Sequence, residues 1–341
     1  MAVVELDESA VSPRFLTRVL RRPVSSVGQA RVGAERGFAS VLVRLALEPA
    51  GRRPETIIAK VIGPGETGWA ELDREVRFYR DVAAAVGAPA PRCWYAGASP
   101  AGMPVLLLED LTAASAGDAL AGSGIADVRR VLRAMAPVWS HGVRGPAQRL
   151  PRWGTDPTRW RERQERYSAQ WATVARAPDR QLPGPVRAIG RRLRDHLAGR
   201  VLAPLADAAP TVVHTDLHLD NVLFTGADQP PVVVDWPSAC TGPVAVDVFP
   251  FLATSLPTHE HDRHAAATID DLTRHLPPTL RAGLLDDGRR ALLRHFAGVI
   301  GWLARPATGN PRETALREAA LGDGRLANAL TYWNAENLLH P

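Results

Sequence analysis

With 341 residues, 45% of them apolar and 23% charged, the chain has an ordinary globular composition and is long enough for two domains. Its formal net charge of +5 comes from arginines scattered through mixed sequence, without the basic runs and interleaved aromatic residues of nucleic-acid-binding proteins. The longest apolar stretch, residues 291–304, is interrupted by Arg294 and His295, which indicates a buried helix and not a membrane span.

The N-terminus and the cysteines of the chain bear on its cellular compartment. The N-terminus has no basic flank before an apolar stretch, so no signal peptide is predicted. Cys93 and Cys240 form neither a CxxC pair nor a zinc spacing, which fits a reduced compartment. We therefore expect a cytoplasmic protein, a monomer or homodimer, with no nucleic-acid or membrane partner.

The N-terminal third is predicted to be β-rich with one helix. Strands are expected over residues 41–47 and 55–62, where apolar and β-branched residues cluster. Residues 71–86 carry apolar side chains at helical spacing and predict an amphipathic helix. Two further strands are expected around residues 93–96 and 104–108.

The rest of the chain is predicted to be mainly helical. Helical patterns cover residues 126–142, 159–176, 185–202 and most of the sequence after 257. Short apolar strands around residues 212–234 form a β-loop insert within this region. The order of elements thus predicts an α+β protein with a small β-rich lobe followed by a larger helical lobe.

Lys60 is the only lysine among the 41 basic residues of the Lys and Arg set. A lysine ammonium is a compact point charge, whereas an arginine guanidinium is a planar fork with a different phosphate geometry. One interpretation is that a chain that uses arginine everywhere else keeps lysine at this position because the point charge is needed there. The alternative is chance in an arginine-biased composition.

The segment from His214 to Asn221 has the pattern H-x-D-x-x-x-x-N, and Asp235 closes a short apolar strand downstream of it. Phosphoryl transfer needs a carboxylate that orients the attacking hydroxyl group and accepts its proton, and oxygen ligands that hold Mg²⁺ against the phosphates. Asp216 suits the first role, and Asn221 with Asp235 suits the second.

This segment resembles the catalytic loop of the aminoglycoside phosphotransferase and choline kinase-like enzymes, which have H-G-D-x-H-x-x-N followed by a strand that ends in I-D-W or I-D-F. The resemblance implies a protein kinase-like fold. It would place a nucleotide-binding lobe at residues 1–107, a hinge at about 107–111, and a catalytic and substrate-binding lobe at 108–341.

The same resemblance implies further site residues. Lys60 is similar to the lysine that holds the nucleotide phosphates, and Glu75 to the helix glutamate that pairs with it, although Glu71 could take this role. Asp247 resembles the aspartate that braces the catalytic loop. The remaining nucleotide contacts would come from an imperfect glycine-rich loop, Gly33, Gly37 and Ser40, and from the hinge, Leu108, Glu109 and Asp110.

One departure from the family pattern and two rival functions are open. Thr215 stands where the family has glycine. The alternating His214, Asp216, His218 and Asp220 would share one face of an extended strand, which resembles the site of a transition-metal-dependent hydrolase. A nucleotide-binding pseudokinase is the other alternative.

The resemblance implies a Mg²⁺-dependent O-phosphotransferase that moves the γ-phosphate of ATP or GTP to a hydroxyl group of a small molecule. An antibiotic or related natural product is the expected acceptor. Acidic and arginine residues are nearly balanced after Val244, which favours a neutral or weakly charged acceptor over a polycation.

Overall fold

The computed structural model describes residues 11–32, 41–48, 55–62, 68–154, 156–177, 182–322 and 324–340. These residues form two compact units. The first comprises the described parts of Met1–Ala116 together with Asn221–Ala239, and the second those of Gly117–Asp220 together with Cys240–Pro341. The segment that carries Asn221 and Asp235 therefore groups with the N-terminal residues. The lobe boundary expected after residue 107 stays a prediction.

The first unit is built on an antiparallel five-stranded sheet with the strand order β1-β2-β3-β5-β4. Its strands are β1 Ser26–Val32, β2 Val41–Glu48, β3 Thr56–Val61, β4 Cys93–Ala98 and β5 Pro104–Glu109. Buried and accessible residues alternate along most of β2, so one face of this strand covers the core. The central strand β3 is buried at most positions, and its Lys60 lies opposite Leu42 and Leu106.

Two helices accompany this sheet. Helix α1, Pro13–Leu20, begins after Ser12, whose side-chain oxygen accepts a hydrogen bond from the Phe15 N–H at 3.3 Å. Helix α2, Trp69–Arg77, continues as a π-helical turn, Phe78–Val82, and buries Glu75 together with its apolar stripe. A carboxylate is buried at such a position only when a partner compensates for the lost water.

A small three-stranded sheet completes the first unit. Strands β6 Ser115–Ala116, β8 Val222–Phe224 and β9 Val232–Val233 are arranged in the order β6-β8-β9. Val222 pairs with Val233 in the β8–β9 hairpin, and one step further the Val234 N–H donates to the Asn221 carbonyl at 2.9 Å. The hairpin thus joins the backbone at Asn221 to the residue before Asp235.

The second unit is mainly helical. Its helices are α3 Ile125–His141, α4 Pro157–Arg176, α5 Gly184–His196, α6 Ala203–Asp207, α7 Ala245–Ser255, α8 Thr258–His275, α9 Pro278–Arg281, α10 Leu284–Leu303, α11 Pro311–Gly322 and α12 Arg325–Tyr332. Helix α7 is apolar and buried around almost its whole circumference, so it forms the centre of this unit. It packs against α10 at Gly288, where a Cβ atom would lie 2.2 Å from the Phe249 ring.

A two-stranded antiparallel ribbon carries the segment that begins at His214. Strand β7, Pro210–Val213, pairs with β10, Cys240–Pro243, and Val213 lies opposite Cys240. The residues after Val213 are therefore held at the buried end of a strand, and a 3₁₀ turn, Leu219–Asn221, follows them.

The expected architecture, with a β-rich N-terminal part and a mainly helical C-terminal part, is confirmed. Each helix in the described ranges is too short or too polar to span a lipid bilayer.

Candidate active site

In the first unit, Lys60 lies between two carboxylates. Its ammonium group is 2.6 Å from Glu75 Oε2 and 2.7 Å from Asp235 Oδ1. The Lys60 and Glu75 side chains are 12% and 2% exposed, whereas that of Asp235 is 45% exposed. Burial opposes the charged form of Lys60, but the two carboxylates outweigh it and raise the pKa of Lys60 above its usual range. Lys60 is therefore a fixed positive charge.

Glu75 has a second contact that explains its burial. Its Oε1 accepts a hydrogen bond from the Trp236 backbone N–H at 3.2 Å, and the Trp236 ring stacks on Phe78 with 4.5 Å between the ring centroids. Helix α2 is thereby joined to the residue after Asp235. Glu71 instead points to Arg74, 3.1 Å away, and is 45% exposed, so the residue paired with Lys60 is Glu75.

Asp235 and Asn221 have the oxygen atoms that a magnesium site needs. Asp235 has φ of 68°, a backbone conformation that is costly outside glycine and is often found at functional sites. Lys60 binds its Oδ1, and within the described ranges Oδ2 forms no hydrogen bond or ion pair. A half-exposed carboxylate and an asparagine amide oxygen are ligand types that fit Mg²⁺, which uses one or two protein ligands together with water and phosphates.

The predicted hinge residues lie at the end of β5 and just beyond it. Leu108 pairs with Ile58 of β3, and the Glu109 N–H donates to the Arg92 carbonyl at 2.8 Å. The Asp110 carboxylate is 2.6 Å from Arg44 Nε, and it also accepts the Thr112 N–H at 3.0 Å. The Asp110 side chain is thus occupied by the protein, and the role of this segment in nucleotide binding stays a prediction. Gly33, Gly37 and Ser40 lie outside the described residues.

In the second unit, the segment around Asp216 is braced by the buried Asp247. One Asp247 oxygen accepts the His214 N–H at 2.8 Å and the Trp139 indole N–H at 3.1 Å, and the other accepts the Thr215 N–H at 2.7 Å. Both oxygens are therefore used to fix the backbone that leads to Asp216. This is the contact expected of a bracing aspartate.

The backbone at Thr215 accounts for the glycine that the resembled catalytic loops have at this position. Its φ is 68°, in the left-handed region where a β-branched residue is strained and glycine is not. The buried His214 accepts the Asp216 N–H through Nδ1 at 3.3 Å, so this turn is fixed on both sides of Thr215. Threonine is accommodated because Asp247 holds the turn from within.

Asp216 is accessible and ionised. Its side chain is 62% exposed, and Oδ2 lies 3.7 Å from His218 Nε2. Partial loss of water around the carboxylate raises its pKa, but the interactions with His218, His214 and His295 outweigh this effect and lower the pKa of Asp216 to about 2. The pKa of His295 is itself lowered to about 4, chiefly by burial and then by Arg294, so this imidazole is neutral at pH 7. Asp216 is thus a carboxylate that can accept a hydrogen bond from a hydroxyl group.

The geometry does not support the metal-hydrolase alternative. The segment is not an extended strand, because Thr215 is left-handed and Leu219–Asn221 forms a 3₁₀ turn. Asp220 is directed to Arg312, 2.6 Å away. Across the described ranges, no three His, Cys, Asp or Glu side chains are grouped to hold a metal ion.

Several contacts around this segment were not predicted from the sequence. Arg312 of α11 contacts Asp118 at 3.1 Å as well as Asp220, and the Ala119 N–H donates to Asp220 at 2.8 Å. Arg294 lies on α10, close enough to affect the ionisation of His295. The one signal for Arg294 in the sequence was its interruption of the apolar stretch at 291–304.

Comparisons with known structures agree with this architecture. The fold is similar to that of an aminoglycoside phosphotransferase from Alicyclobacillus acidocaldarius, with a TM-score of 0.57 and 14% identity over 99% of this chain and 98% of that one. Choline kinase from Cryptosporidium parvum gives a TM-score of 0.57 and 10% identity over 92% and 90%. Spectinomycin phosphotransferase, APH(9)-Ia, solved with ADP and spectinomycin, gives a TM-score of 0.54 and 11% identity over 94% of this chain and 97% of that one.

A search of curated proteins finds no match. The sequence does match the phosphotransferase enzyme family over residues 51–285, which is more than half of the chain and contains Lys60, Glu75, Asp216, Asn221 and Asp235. The family resemblance inferred from the sequence is confirmed, and the chain belongs to the phosphotransferase enzyme family.

Proposed function

We propose that this protein is a Mg²⁺-dependent O-phosphotransferase that transfers the γ-phosphate of ATP or GTP to a hydroxyl group of a small molecule, an antibiotic or related natural product. The observation that carries the proposal is the arrangement of Lys60 between the buried Glu75 and the accessible Asp235. The ammonium group of Lys60 can bind phosphate oxygens, and the Asp235 carboxylate can bind the metal ion. The arrangement therefore suits a metal–triphosphate ligand.

We assign the roles of Lys60 and Glu75 from their contacts, and those of the other residues from the family resemblance. Glu75 holds Lys60, and Lys60 binds the phosphate oxygens of the nucleotide. Asn221 and Asp235 hold Mg²⁺, which supplies charge neutralisation on the phosphates when it is bound. By the same resemblance, Gly33, Gly37 and Ser40 are proposed as further phosphate-binding residues, and Leu108, Glu109 and Asp110 as residues that bind the base.

Asp216 orients the acceptor. With its pKa near 2 it is ionised throughout the neutral range and accepts a hydrogen bond from the acceptor hydroxyl group. A carboxylate of such low basicity takes the proton only as the new P–O bond forms, so its main contribution is to aim the hydroxyl oxygen. Asp247 keeps the backbone of Asp216 in place.

The test is nucleotide consumption with a panel of hydroxylated antibiotics and metabolites. Purified protein is incubated with ATP or GTP, with and without Mg²⁺, and acceptors are analysed for the mass increase of one phosphoryl group. Both nucleotides are included because the similar structures comprise an ADP complex and a GDP complex of other enzymes. Nucleotide binding without any transfer across the panel would favour the pseudokinase alternative, and absence of nucleotide binding would refute the proposal.

A further inference from the structure

Two arginines of the second unit, Arg163 on α4 and Arg294 on α10, form a cationic pair near the Asp216 segment. Helices α4 and α10 touch where Gly301 faces the Gln170 side chain, 3.1 Å from a Cβ position at the glycine. Trp160, one turn before Arg163 on α4, donates its indole N–H to the Gly154 carbonyl at 2.7 Å, so this end of α4 lies next to Trp153, the residue that Arg294 approaches. The charge of Arg163 lowers the pKa of Arg294, as expected of two cations on neighbouring helices.

The position of Arg294 relative to the catalytic segment is fixed by Trp153. The guanidinium carbon of Arg294 is 5.9 Å from the centroid of the buried Trp153 ring. The Trp153 N–H donates to the Thr241 carbonyl of β10 at 2.8 Å, and β10 pairs with β7, which leads into Asp216. The neighbouring His295 lowers the pKa of Asp216. Arg294 is thus linked through Trp153 and the β7–β10 ribbon to the segment that carries Asp216.

Neither arginine has an acidic partner. In the described part of the chain, Arg163 and Arg294 form no ion pair and no side-chain hydrogen bond, whereas Arg159, one turn away on α4, lies 3.6 Å from Asp156. Arg163 is exposed and Arg294 is partly accessible, so a ligand can reach both. Burial lowers the pKa of Arg294 and Arg163 lowers it further, while the carboxylates of Asp216 and Asp247 act in the opposite direction.

An arrangement of this kind is costly unless something compensates for it. Two guanidinium groups repel each other, and partial burial removes water that would screen them. Surface arginines without partners are common, but Arg294 is only partly accessible and lies beside the buried Trp153 ring. A guanidinium pair presents paired donors that match the oxygens of a carboxylate or a phosphate.

We propose that Arg163 and Arg294 bind an anionic group, a carboxylate or a phosphate, of the acceptor molecule. This inference rests on the proposed function, because it assumes that Asp216 faces the acceptor. It narrows the acceptor to a hydroxylated anion and disfavours polycations such as aminoglycosides. It also replaces the neutral acceptor suggested by the overall balance of charges with a charged one.

The first experiment compares acceptors that share a scaffold: glycerate, glycerol 3-phosphate and glycerol, and the larger pair pantothenate and pantothenol. Choline serves as a cationic acceptor. Phosphoryl transfer from ATP and GTP is measured for the wild type, for Arg294→Gln and Arg163→Gln, and for Arg161→Gln, an exposed arginine of the same helix, as the matched control.

The expected result is transfer to an anionic member, with KM raised roughly 10- to 100-fold by Arg294→Gln or Arg163→Gln, as for lost hydrogen bonds between charged groups. Arg161→Gln leaves KM unchanged. Comparing the KM values of glycerate and glycerol 3-phosphate shows whether the site prefers a carboxylate or a phosphate. Preference for glycerol, pantothenol or choline overturns the inference while leaving the phosphotransferase assignment intact. An equal fall in kcat for every acceptor also overturns it, since Arg294 would then act on the transferred phosphoryl group.

The second experiment does not depend on turnover. Sulfate binding is measured by calorimetry at constant ionic strength in Lys60→Met, which removes the other phosphate-binding cation, and in Lys60→Met combined with Arg294→Gln. Binding that is lost in the double variant supports the site, even if no acceptor in the panel is phosphorylated. Binding that is absent in Lys60→Met, or unchanged in the double variant, overturns it. Failure of the proposed function is recognised separately, as absence of nucleotide binding to the wild type.

Discussion

Replacement of Glu75 by glutamine tests the central ion-pair arrangement of the first unit. The glutamine keeps the size of the side chain but has one acceptor oxygen, and it must satisfy either the Trp236 N–H or the Lys60 ammonium group. If it keeps the bond to Trp236, its NH₂ group faces the ammonium group of Lys60. The substitution therefore removes a charge and leaves two donors in contact.

The size of the effect follows from burial. Removing one partner of a buried ion pair costs about 3–5 kcal/mol when the remaining charge is left alone. Lys60 keeps Asp235, which is 45% exposed and compensates in part, so we expect a loss of about 2–3 kcal/mol in the free energy of unfolding. Nucleotide affinity is expected to fall about tenfold, because one charged contact that orients Lys60 is lost.

The assay is urea denaturation at pH 7, combined with nucleotide titration. Glu71→Gln is the matched control, since Glu71 lies one turn away on the same helix and forms an ion pair with Arg74 at the surface. Its expected cost is below about 0.5 kcal/mol. Equal stabilities of the two variants, or a greater loss in Glu71→Gln, would show that Lys60 does not depend on Glu75.

Three further substitutions probe the second unit. Asp216→Asn should keep nucleotide binding and lose at least about 100-fold in kcat, since the hydroxyl-orienting charge is gone; a variant with normal turnover would contradict the role of Asp216. Burial raises the pKa of Asp287 to about 6, with Arg290 opposing and Asp286 adding to the shift, so its contribution to stability falls as pH rises from about 4 to 6. Asp287→Asn should therefore stabilise the protein by about 1–3 kcal/mol at pH 7 and by almost nothing at pH 4. The gain is measured as the difference between the unfolding curves of the variant and the wild type at each pH. A gain of equal size at both pH values would exclude ionisation of Asp287 as its cause. Arg312→Met removes the contacts to Asp220 and Asp118 and should cost about 1–3 kcal/mol in thermal unfolding, and an unchanged Tm would mean that this ion-pair group is not stabilising.

The first unit could be predicted in some detail because its signals are local. The alternation in β2 and the β-branched residues of β3 reflect the two-residue period of a strand, and both strands are present. Lys60 stood out as the only lysine. The ion pair with Glu75 required the family resemblance, because spacing alone left Glu71 as an alternative one turn away.

Contacts between distant segments could not be predicted in this way. The contact of α4 with α10 at Gln170 and Gly301 and the approach of Arg294 to Trp153 leave no periodic trace in the sequence of either helix. The net charge of the C-terminal region suggested a balanced surface, because a net charge does not show where in the fold the individual charges lie. The strain at Thr215 was likewise hidden, since φ is set by the turn and its hydrogen bonds and not by the residue type.

The bonds of Asp247 have a consequence for the order in which the protein folds. This carboxylate on α7 receives donors from Trp139 of α3 and from the backbone at His214 and Thr215, so three stretches that are remote in sequence must meet at one side chain. Closing such long loops is slow compared with forming helices. The Asp216 turn should therefore become native only after α3 and α7 have docked, and the gain of activity during refolding would report the last stage of assembly of this unit.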